Sequence, residues 1–98
     1  MTEDQEWRPD PASRIYVYVQ IAEHIADQIR AGSLSVGARL ASEPDLAAQY
    51  GVGINTLRRA IRELRERGVA DTVPAKGTFI IEVPEPPTDT TETNRTTG

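Results

Sequence analysis

The chain has 98 residues, 38% of them hydrophobic, no cysteine and a formal net charge of −4. That is enough apolar material for one small core and not for two, and it excludes disulfides, Cys-ligated zinc, iron–sulfur clusters and thiol nucleophiles. No apolar run comes near the ~20 residues of a membrane helix, and Thr2-Glu3-Asp4-Gln5-Glu6 is acidic where a signal peptide would be basic, so the expectation is a cytoplasmic protein with no membrane partner.

Residues 1–12 mix charges with Pro9 and Pro11 and lack apolar periodicity, which predicts a flexible N-terminal arm despite Trp7. From Val17 the stripe Val17, Ile21, Ile25, Ile29 recurs every fourth residue while Glu23, Asp27 and Arg30 fall off it. This predicts an amphipathic helix over about 14–31, with Ser13 as N-cap and Gly32 as the glycine just past its end. Ser33 to Ala41 reads as a loop or short extended piece pinned by Leu34, Val36 and Leu40. Ser42 opens a second helix of about two turns, with Pro44 in the first turn and Asp45 three residues after the cap, and Gly51 ends it.

A third helix follows Gly51-Val52-Gly53, with Leu57, Ala60, Ile61 and Leu64 on one face and Gly68 as its stop. Two helices joined by so short a turn form a helix-turn-helix candidate. Val69–Val73 and Thr78–Val83 then read as two β segments around Pro74-Ala75-Lys76-Gly77, a hairpin or wing. The fold class is therefore mainly α with a small β-hairpin, a winged helix-turn-helix of three helices plus wing. The expected domain spans residues 13–83. Residues 84–98 hold no aliphatic or aromatic side chain beyond proline and read as a disordered acidic Pro/Thr-rich tail.

The net charge conceals an uneven distribution. Residues 1–11 carry four acids and one arginine, residues 84–98 three acids and one arginine, and residues 12–83 nine bases against eight acids. The acidity lies at the ends. The basic concentration lies in the third helix, where Arg58, Arg59, Arg62, Arg65 and Arg67 stand against Glu63 and Glu66, and any footprint for phosphate is there.

Tyr18-Val19-Gln20-Ile21, Ile29-Arg30-Ala31-Gly32, Gly37-Ala38-Arg39-Leu40, Ser42-Glu43, Asp45-Leu46-Ala47, Gly51-Val52, Thr56-Leu57-Arg58-Arg59-Ala60, Gly68 and Gly77-Thr78-Phe79-Ile80 together resemble the N-terminal winged helix-turn-helix domain of the GntR family of bacterial transcription regulators. The resemblance covers about residues 16–82. It implies a double-stranded operator DNA partner, with the third helix in the major groove and the wing tip near the minor groove or phosphates. The family usually adds a C-terminal effector-binding, dimerising domain, and at 98 residues none is expected here. The chain departs from the family pattern at Pro44, where an arginine is common, at Gly53-Ile54, where Ser-Arg is common, and at Ala41, where a proline is usual.

Stepping the third helix at ~100° per residue places Asn55, Arg58, Arg59 and Arg62 opposite its apolar face. Arginine can donate bidentately to guanine and asparagine can pair with adenine, so these side chains suit direct readout. The competing explanation is a solvated face laced by the i,i+4 pairs Arg59–Glu63, Arg62–Glu66 and Glu63–Arg67. Arg58 has no acid three or four residues away, which ranks it first, and the resemblance implies a DNA contact at its position.

Thr56 is either a phosphate or base-edge hydroxyl or an ordinary first-turn residue. Lys76-Gly77 is either a minor-groove tip or a turn that needs glycine. Ile54 either meets a thymine methyl or packs on the second helix. The candidate DNA-contacting residues are Ser42, Asn55, Thr56, Arg58, Arg59, Arg62, Lys76 and Gly77.

No catalytic motif, phosphate loop or dinucleotide fingerprint occurs, so no enzyme, metal or cofactor is expected. His24 beside Glu23 and Asp27 reads as a structural residue. The function expected is a sequence-specific DNA-binding transcription regulator, a repressor acting by operator occupancy, pairing as a weak homodimer on DNA. The alternative is a winged-helix protein-interaction module whose arginine-rich helix meets an acidic partner.

Overall fold

The computed structural model describes residues 7–85; the rest of the acidic tail, residues 86–98, lies outside the described residues. Three helices are followed by a hairpin: α1 (Val17–Arg30), α2 (Glu43–Tyr50), α3 (Ile54–Glu66), β1 (Ala70–Val73) and β2 (Gly77–Ile80).

Helix α1 buries Ile21, Ala22, Ile25, Ala26 and Ile29. It begins three residues later than the periodicity predicts. The Ser13 hydroxyl accepts from Ile15 N at 3.0 Å, a local turn that competes with helix, and Tyr16 is the cap residue without a side-chain bond. The Gln20 amide then holds the preceding segment, donating to Asp10 O at 3.0 Å and Ile15 O at 2.7 Å and accepting from Asp10 N at 2.8 Å. At the other end Gly32 is left-handed, and its N–H and that of Ser33 return to Ile29 O and Gln28 O. This is a Schellman closure.

The described part of the expected flexible arm is docked. Trp7 stacks on the His24 imidazole at 4.2 Å and meets Tyr50 edge-on at 5.7 Å, while His24 Nδ1 and the Tyr50 hydroxyl share a hydrogen bond of 3.0 Å. A polar, proline-bearing segment lacks helical periodicity but can still anchor through one large aromatic side chain.

Ser42 caps α2 as expected, its Oγ accepting from Asp45 N at 3.2 Å. Gly51 at φ 71 ends the helix, and Gly53 leads into α3, whose Leu57, Ala60, Ile61 and Leu64 are buried. Both α1 and α2 pack on α3, so the amphipathic third helix is the central element of the core.

The hairpin pairs Ala70 with Ile80 and Val73 with Gly77. On the outer edge of β2, Leu40 N donates to Thr78 O and Ile80 N to Ala38 O, both at 2.9 Å, with Arg39 bridging Phe79. The short extended piece is thus a third backbone partner of the wing. The second β segment ends earlier than the expected Val83, after Ile81 N donates once more to Val69 O.

At the C-terminal end of α3, Arg67 joins Glu63 at 2.9 Å and Glu23 at 2.7 Å, tying α1 to that end. Burial works against the Arg67 charge, but hydrogen bonds and attraction from Glu23 and Glu63 outweigh it and raise its pKa.

Candidate nucleic-acid interface

The outer crest of α3 is formed by Asn55 and Arg62, both exposed, with Arg58 and Arg59 on opposite flanks. Each flanking arginine is held by a different neighbouring helix. Arg58 Nε donates to Glu43 Oε1 at 3.0 Å, so the residue without an intrahelical acid has an interhelical one. The Arg59 guanidinium lies over the Tyr18 ring of α1, 4.2 Å from its centroid. Of the three i,i+4 pairs expected on this face, Glu63–Arg67 forms. Arg59 and Arg62 enter no ion pair among the described residues, and Glu66, i+4 from Arg62 on the same exposed face, enters none either.

Ile54 is half-buried and packs against the core cluster, which favours its packing role. Thr56 is half-buried in the first turn of α3. Ser42 lies at the start of α2, its hydroxyl engaged as the cap.

At the wing, Pro74-Ala75-Lys76 closes the hairpin, with Lys76 N donating to Val73 O at 2.9 Å. Ala75 sits at φ 67 and Gly77 at φ 120. A Cβ on Gly77 would lie 3.0 Å from Arg39 Cδ and 3.3 Å from Arg39 Cγ. The Arg39 guanidinium donates to Lys76 O at 3.3 Å. Glycine is thus required both by its backbone angle and by the arginine against it, while the Lys76 side chain is exposed.

Arg39 is the residue bracing the wing that reasoning from spacing missed. It appeared only within Gly37-Ala38-Arg39-Leu40, and its role depends on a contact across 37 positions of chain. Between the start of α2 and the wing runs an open groove of about 650 Å³, bordered by Arg39, Ser42, Glu43, Thr72, Lys76 and Thr78. Ser42 and Lys76 thus border one concavity, while Asn55 and Arg62 stand on the crest beside it. Among the described residues no cluster of His, Asp and Glu side chains could hold a metal ion, and no helix is long and apolar enough to cross a membrane.

Two helices crossing through a glycine turn, an arginine-lined third helix and a hairpin with a lysine tip define a winged helix-turn-helix. Residues 17–80 match the family described as bacterial regulatory proteins, gntR family, and the chain belongs to that family. It is 41% identical over 70 residues to the HTH-type transcriptional regulator SmoD of Agrobacterium fabrum, an alignment covering 71% of this chain and 30% of that one. It is 36% identical over 66 residues to the mannosyl-D-glycerate transport/metabolism system repressor MngR of Escherichia coli, covering 67% and 28%. The chain therefore spans less than a third of the length of either relative. Among solved structures, AraR(DBD) in complex with operator ORX1 is similar with a TM-score of 0.67 and 32% identity, over 72% of this chain and 88% of that one.

Proposed function

We propose that the chain is a sequence-specific, double-stranded DNA-binding unit of a transcription regulator that represses by occupying operator DNA. The observation that carries this is the outer face of α3: an asparagine and an arginine on the crest, with a second and third arginine fixed on its flanks. Likeness to a domain solved with its operator supports it.

Asn55 and Arg62 contact base edges. Arg58, Arg59 and Lys76 contact phosphates, and Ser42 and Thr56 offer hydroxyls beside them. Gly77 allows the wing backbone to approach the minor groove. One small module makes few contacts, so two copies pair weakly on a palindromic site.

The test is binding of the chain to labelled duplexes across a salt series. With Arg58, Arg59 and Lys76 as three phosphate contacts, the slope of log K against log salt should be roughly −2 to −3. A flat response, or no binding at low salt, would overturn the proposal. Sedimentation on a selected site should show two protomers per palindrome.

A further inference from the structure

The Arg59 guanidinium is stacked but not neutralised. Its i+4 neighbour Glu63 is occupied by Arg67 Nε at 2.9 Å, and what Arg59 meets is the Tyr18 ring. Tyr18 also stacks with Tyr16, the ring centroids 5.9 Å apart and the planes inclined by 16°. Tyr16 is 73% exposed, an expenditure of apolar surface that the fold itself does not require. The three residues form one stack across the junction of α1 and α3. The ring face offers the guanidinium neither a carboxylate nor an oxygen acceptor, so this contact leaves N–H donors able to bond outward. The stack also turns the Arg59 side chain away from the crest of α3, where Asn55 and Arg62 stand, and toward the flank.

We infer that Tyr18, stacked with Tyr16, is a positioning residue that holds Arg59 on a backbone phosphate of the DNA strand passing the α1 side of the interface, so that this site binds phosphodiester and reads no base. The inference rests on the DNA-binding function proposed above. It assigns a role to two tyrosines of the α1 start that the arginine-rich helix alone does not suggest. Restricting Arg59 before binding removes part of the ordering that a free arginine side chain would undergo on the phosphate.

The test uses the full chain and a labelled duplex of mixed sequence, with a thermal melt of each variant to establish folding. Arg59→Ala should flatten the salt slope by about 0.9. Tyr18→Leu should weaken binding roughly two- to fivefold, equally on mixed and on selected sequences, and should add nothing in an Arg59→Ala background. Tyr18→Phe keeps the ring and should rescue the loss. The positioning role is overturned if folded Tyr18→Leu binds like the parent chain, if its loss is fully additive with Arg59→Ala, or if Tyr18→Phe, which preserves the packing, binds as weakly as Arg59→Ala. Absence of any binding by the parent chain at low salt would instead overturn the DNA-binding function, and this role with it.

Discussion

Arg58 on α3 donates its Nε–H to Glu43, the first residue of α2, at 3.0 Å, placing a carboxylate inside an otherwise basic face. The side chains are 58% and 37% exposed, so the pair contributes only about 0–1 kcal/mol to stability. Its greater effect is on the field that a phosphate meets. Glu43→Gln should leave the melting temperature within a few degrees. It should also strengthen binding to a mixed-sequence duplex and steepen the salt slope by up to about one unit. Anisotropy titrations would check this, and weaker binding would show that the carboxylate is needed to aim Arg58.

The docking of Trp7 makes the N-terminal segment part of the folded unit. Trp7→Ala removes the stack on His24 and the edge contact with Tyr50, which should cost about 1–3 kcal/mol. For a domain of this size the melting temperature should fall by roughly 5–15 °C. Because Trp7 is the single tryptophan, its fluorescence should report the same cooperative urea transition as circular dichroism. An emission change that precedes global unfolding would show that the segment detaches independently.

Burial pushes the Tyr50 phenol up to about 12 from an ordinary value of 10.0. The folded chain therefore holds this proton more tightly than the unfolded chain. The resulting stability is fully present below pH 10 and is lost as pH rises toward 12, an effect on the order of 2 kcal/mol. The urea midpoint of the parent chain should fall across that window more steeply than that of Tyr50→Phe. At neutral pH Tyr50→Phe should cost about 1 kcal/mol, because His24 loses the hydroxyl at its Nδ1. Parallel alkaline profiles for the two proteins would rule out Tyr50 as the source.

The wing tip holds two positive φ values, one borne by a residue unsuited to it. Ala75 sits at φ 67, so Ala75→Gly should relieve left-handed strain and stabilise by about 1 kcal/mol. Gly77→Ala should do the opposite, costing about 1–2 kcal/mol, because its Cβ would press on Arg39. Thermal melts would measure both. A destabilised Ala75→Gly would mean that the entropy of the unfolded chain outweighs the strain.

The helical stripes, the cap at Ser42, the stops at Gly32, Gly51 and Gly68 and the glycine-bearing wing turn were legible because each depends on residues a few positions apart. Propensity, capping and periodicity act at that range. The α1 start was misjudged by three residues because Gln20, five positions from Ile15 and ten from Asp10, holds the backbone out of the helix. Arg58 and Arg59 were recognisable as exposed cations, but their partners were not: the nearest intrahelical acids say nothing about Glu43 or Tyr18, which belong to other helices.

Local order along the chain by itself determined the class of fold, the face of α3 turned away from the core, and the concentration of arginine there. Tertiary packing alone decided which of those arginines are tethered, that Trp7 closes over His24 and Tyr50, and that Arg39 braces Gly77 from the far edge of the wing. The physical reason is range. Helices and turns are selected by interactions within one or two turns of chain, whereas the direction of a long charged side chain is set by whichever acid or ring the packed elements bring within about 4 Å, and that proximity exists only once α1, α2 and the wing have closed on α3.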